Sequence, residues 1–126
     1  MVSRQRIYEL LSRLEKVSVH VALTGSKSTV KSSVNDLQYS ISDENLEKQL
    51  SPIGESILMK IVFDLLQNEW LTVDISVVPS CYSVVLQKKA GINTFGNRQS
   101  RVNLLTALLT AFVELKELEV KKNVAA

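Results

Sequence analysis

One cysteine, one histidine, two prolines and four glycines are all that these 126 residues carry of the types that staple, ligate or break a chain. With Cys81 alone, no intramolecular disulfide can form. A zinc shell of about four ligands would need two carboxylates beside Cys81 and His20, so no metal and no cofactor are expected. Apolar runs are short, as in Ile57-Leu58-Met59, and none approaches the ~18 residues of a membrane span. Met1-Val2-Ser3-Arg4 leads directly into charged, amphipathic sequence without an apolar h-region. The expected location is therefore cytoplasmic, with no membrane partner.

What remains is the composition of an ordinary folded domain. Hydrophobic residues make up 45% and charged residues 22%, enough to bury one core in a single domain of 1–126. The net charge of +2 conceals a segregation along the chain. Residues 1–35 sum to +4, residues 36–74 to −6, residues 75–113 to +4, and the tail is neutral. Such blocks either neutralise one another in the fold or let unlike surfaces of two subunits meet.

Periodicity assigns the elements. Ile7, Leu10, Leu11, Leu14 and Val17 predict an amphipathic helix over 3–16, capped by Ser3. Val17, Val19, Val21 and Leu23 then alternate with Ser18, His20, Ala22 and Thr24, the pattern of a half-buried strand. Residues 25–35 read as a flexible loop. Val30, Val34, Leu37 and Ile41 suit a helix, while Leu37, Tyr39 and Ile41 suit a strand, and the pattern does not separate the two. Ser42-Asp43-Glu44 and Ser51-Pro52 both look like helix starts. The second opens a helix to about Glu69 on Ile53, Ile57, Leu58, Ile61, Val62, Leu65 and Leu66. Leu71–Val78 and Tyr82–Leu86 alternate about Pro79-Ser80, an antiparallel hairpin. Residues 90–99 read as an irregular link. Ser100 is placed to cap a last helix ending near Leu118, with a frayed tail over 120–126. The fold class is α+β: a small, mainly antiparallel sheet of three to four strands packed with three to four helices.

No nucleophile–base or acid–base pattern stands out, so no catalytic residue and no enzyme are expected. Gly25-Ser26-Lys27-Ser28-Thr29 follows a strand as a phosphate loop does, yet Ser26 stands where that loop needs glycine. It reads as a surface loop, with anion binding there left open. Asn97, Arg98, Ser100 and Arg101 fall at the expected start of the last helix, where unpaired N–H groups and the dipole favour anions. With Lys88 and Lys89 they form the candidate anion-binding patch. Trp70 and Tyr82 are expected to seal the helix–hairpin junction. Thr106, Ala107, Thr110 and Ala111 give the last helix a small-residue face suited to close packing, within the chain or between subunits.

Two resemblances follow from the order of these features. Gln38-Tyr39-Ser40-Ile41-Ser42-Asp43 before a helix, then the two strands, a Gly-containing link and Leu104-Leu105-Thr106-Ala107-Leu108-Leu109, resemble the phage ABA sandwich family. That resemblance covers about 37–112 and implies a compact α/β sandwich with a phage accessory role. Gly96-Asn97-Arg98-Gln99-Ser100-Arg101, ahead of the final helix, is similar to the corresponding loop of double-stranded-RNA-binding domains. The expectation is a non-enzymatic, self-associating binding protein that occupies a host protein or a small anionic ligand. RNA or DNA binding through the same basic patch is the alternative.

Overall fold

The computed structural model describes residues 4–24, 29–34, 36–40, 51–90, 93–101 and 103–125, with backbone alone at 24, 40, 89–90, 93–100 and 122–125. Helix α1, Arg4–Val17, buries Ile7, Leu10, Leu11 and Leu14, the series that a 3.6-residue period brings to one face. Helix α2, Pro52–Asn68, begins as the sequence indicates. The Ser51 hydroxyl accepts from Gly54 N at 3.0 Å, and Pro52 occupies the first turn.

Six strands form two antiparallel sheets of three. Strands β1 (Val21–Thr24), β2 (Thr29–Ser32) and β3 (Gln38–Ser40) lie in chain order in the first. Strands β4 (Thr72–Val78), β5 (Cys81–Ala90) and β6 (Asn93–Arg101) lie in chain order in the second. The α+β reading therefore holds, with the strands divided between two sheets. Pro79 and Ser80 close the β4–β5 hairpin, where Val78 pairs with Cys81. Proline fixes the first turn position and Ser80 takes the left-handed φ of 70° at the second, the pattern of a type II turn.

Helix α3, Leu104–Ala125, is the hub of the fold. It packs against α1, α2, β5 and β6, while α1 also covers β1 and α2 covers β3. Leu105, Ala107, Leu108, Leu109, Ala111, Phe112, Val113 and Leu115 are all buried. A helix apolar on every side must be surrounded. Val21, Leu23 and Val30 from the first sheet and Val84 and Leu86 from the second join the same core. At the edge of this core Arg13 of α1 clamps Glu117 of α3 at 2.6 Å. Its hydrogen bond to Glu117 outweighs partial burial and raises its pKa further above the ordinary value.

Several expectations are corrected here. Residues 29–35 are not all loop, since Thr29–Ser32 is β2, and the helix-or-strand ambiguity near Tyr39 resolves to β3. Residues 93–101 are a strand instead of a link, because nine consecutive residues pair with β5. Ser100 thus sits opposite Ser83 and does not cap the last helix. Asn103 does: its Oδ1 accepts from Thr106 N at 2.8 Å and its carbonyl from Ala107 N at 3.2 Å. Helix α3 continues past Leu118 to Ala125, through the stretch expected to fray. Its Thr106, Ala107, Thr110 and Ala111 are buried within the chain, so they do not offer a face to another subunit. Ser3, the Ser42 helix start and residues 25–28 lie outside the described residues.

Candidate functional site

The basic residues picked from the sequence are not gathered at a helix terminus. Lys88 and Lys89 lie in β5, opposite Phe95 and Thr94, and Asn97, Arg98, Ser100 and Arg101 lie along β6. Lys88 and the β5 partner of Arg101, Tyr82, are six residues apart on one strand, about 20 Å. Lys88 also has its charge engaged. Its Nζ lies 3.3 Å from Glu69 and 3.4 Å from Glu119. Lys116 completes the cage, 2.8 Å from Glu69 and 3.3 Å from Glu119. Burial disfavours the Lys88 ammonium, but the two carboxylates outweigh that penalty and hold its pKa above the ordinary lysine value. Glu69 closes the C-terminus of α2, where the helix dipole repels an acid, and the two lysines offset that repulsion.

His20 stands in a turn ahead of β1, with Nδ1 3.2 Å from the Ser33 hydroxyl and its carbonyl accepting from Ser33 N at 2.9 Å. These bonds fasten the turn to the residue that follows β2. Among the described residues, no group of three His, Cys, Asp or Glu side chains is placed to hold a metal ion. No helix among them is long and apolar enough to cross a membrane. A depression of about 530 Å³ between α1 and α3 has Val17, Leu118 and Val120 in its wall beside the Arg13–Glu117 pair.

The unusual surface is where α2 hands over to β4. Helix α2 ends with Trp70 N donating to Gln67 O and Leu71 N donating to Leu66 O, the pairing of a Schellman motif. That motif puts Trp70 in the left-handed region at φ 57°, a position that favours glycine and strains a bulky side chain by about 1 kcal/mol. The indole does not seal the junction as expected; Trp70 is 90% exposed. Strand β4 continues this exposure. Val73, Ile75 and Val77 pair with Leu86, Val84 and Tyr82, and directly opposite residues share a sheet face. Leu86 and Val84 are fully buried, so the β4 valines and isoleucine lie on the core side of the sheet. Yet the cover of α3 stops at β5. Ile75 is 41% and Val77 77% exposed, on a strand that is also the sheet's edge.

The sequence carries part of this signal: α2 runs to Asn68 with no glycine just beyond it, so where a left-handed residue ends this helix it is a larger one. Its identity and exposure are set by tertiary packing. No protein-family model matches the chain, and no curated protein or solved structure matches it.

Proposed function

We propose that this chain is a non-enzymatic protein-binding module whose contact surface is the β4 edge, its bare apolar face and the neighbouring Trp70. The observation that carries the reading is Trp70, strained in a glycine position and 90% exposed. A large aromatic residue that contributes strain and little internal burial has no stabilising role within the chain, whereas tryptophan is the residue type most enriched at binding hot spots. Ile75 and Val77 carry the exposed apolar surface on along β4, beside backbone groups that an added strand can pair with. The engagement of Lys88 with Glu69 and Glu119 favours this reading over capture of an anionic ligand or nucleic acid. Acting by occupying another protein also agrees with the phage accessory role that the resemblance implies.

A photoreactive amino acid in place of Ile75, with the same group at Lys60 on α2 as control, tests the reading in cells. Protein adducts of discrete mass are expected from position 75 only, and Trp70→Gly is expected to remove them. No adduct from position 75, or the same adducts from both positions, overturns it.

A further inference from the structure

We infer that the occupant of this surface is a second copy of the chain, paired antiparallel through β4 about a two-fold axis at Ile75. The inference rests on the protein-contact reading of β4 and names its partner. A two-fold interface sets residue i against residue j and j against i, so the only variable is which residue lies on the axis. Registers centred between residues continue the apolar face of one copy with the polar face of the other. A centre at Asp74 sets two carboxylates directly opposite, which is unfavourable. A centre at Ser76 runs Val73 into the turn proline, Pro79, and shortens the ladder.

The centre at Ile75 uses all seven residues of β4. Ile75 faces Ile75, Val73 faces Val77, Thr72 faces Val78, and Asp74, the strand's sole charge, faces Ser76. Nothing in β4 works against such pairing. It has no lysine, no proline and no break in its register with β5, the usual devices that blunt an edge. The same register brings Trp70 of each copy level with Ser80 of the other, beside the exposed Val78-Pro79 turn. Of the side chains left bare in one copy, Ile75 thus meets its counterpart on the axis, Val77 meets Val73 of the other copy and Val78 meets Thr72. Roughly six to eight inter-strand hydrogen bonds form, and the two tryptophans add ~150–250 Å² of contact each. Two sheets of three strands become one of six.

Sedimentation equilibrium from low micromolar to near-millimolar concentration is the first measurement, with a monomer–dimer equilibrium expected. Trp70→Gly suits the left-handed backbone and so keeps the fold, and it is expected to weaken association roughly tenfold or more. Ile75→Lys sets two ammonium groups together on the axis and is expected to abolish it. Register is then read by oxidative cross-linking in a Cys81→Ser background. Ile75→Cys alone is expected to give a covalent dimer, since opposed residues lie within disulfide range. Thr72→Cys alone is not, because its two copies stand about 20 Å apart along the ladder, but a mixture of Thr72→Cys with Val78→Cys is. A dimer cross-linked through Thr72→Cys alone, and not through Ile75→Cys, overturns the register. A chain that stays monomeric throughout overturns the inference as a whole, while adducts of a different protein at position 75 would still support the contact surface.

Discussion

The Glu15 carboxylate accepts a hydrogen bond from the backbone N–H of Leu23 at 2.8 Å. The acceptor projects from α1 and the donor lies in β1, one of the two outer strands of the first sheet. An edge N–H already bonded to a side chain cannot template another strand, and a charged side chain laid along an edge repels an incoming one. The second sheet has no such guard on β4 among the described residues, and its edge carries Ile75 and Val77 exposed. At β1 the chain's own carboxylate occupies an outward N–H, whereas β4 leaves its outward groups open to a second strand.

Replacing Glu15 by Ala removes the acceptor and leaves a half-buried backbone donor to find water. The expected loss is about 1–2 kcal/mol of unfolding free energy, read as a lower urea midpoint at unchanged slope. Amide exchange at Leu23 should accelerate beyond that of its neighbours. Glu15→Gln keeps a carbonyl oxygen in place and is expected to retain most of the protection.

The Glu69, Glu119, Lys88 and Lys116 cage makes a graded prediction. Lys116 is 15% exposed and holds the shorter contact, 2.8 Å, whereas Lys88 is 29% exposed at 3.3 Å. Lys116→Met should cost about 2–3 kcal/mol by leaving the partly buried Glu69 with the longer Lys88 contact alone, and Lys88→Met about 1 kcal/mol. The pH dependence has a definite sign. Lys88 titrates above its ordinary value of 10.5 in the folded chain, so its contribution is complete below that value and disappears as pH rises through the folded pKa. Wild type should therefore lose stability above pH 10.5 more steeply than Lys88→Met, and the difference between the two curves isolates this group from the tyrosines.

Asn103 is the cap of α3, and α3 is the element that packs against α1, α2, β5 and β6. Asn103→Ala should lower the stability of the whole chain by about 1 kcal/mol, and Asn103→Ser should restore most of it. Thermal unfolding of the two variants, followed by helical circular dichroism, checks both values.

The elements with strong periodicity were legible in the sequence: α1, α2 with its Ser51-Pro52 start, and the β4–β5 hairpin. Strand β6 was not, because Gly96, Asn97 and Ser100 are weak strand formers and its pairing with β5 overrides local preference. Asn103 was hidden by the same misreading, since a cap is recognised only once the helix start is placed. Trp70 was legible as a residue and not as a site. Sequence supports burial for any tryptophan, whereas this one sits exposed in the left-handed turn that ends α2. The basic residues were read at a helix start that proves to be strand β6. Strand pairing spreads them along a hairpin, and Lys88 meets carboxylates from α2 and α3 that lie 19 and 31 positions away in the chain.

Gly54 provides the most local test of how α2 sits on the first sheet. A Cβ built at Gly54 would stand 2.6 Å from Cζ of Tyr39 and clash with its hydroxyl, so the glycine lets the ring of β3 lie against the first turn of α2. Alanine is the better helix former by about 1 kcal/mol, and in an exposed turn it would stabilise. Here the ring must swing away and lose its packing, a displacement that costs about 1–3 kcal/mol. Gly54→Ala should therefore be neutral to destabilising in the wild-type background and stabilising once Tyr39 is replaced by Ala. The double-mutant cycle reads that change of sign directly as a coupling between the two positions. Equal effects in both backgrounds would mean that Tyr39 does not rest on Gly54 in solution, and that α2 meets β3 through other contacts.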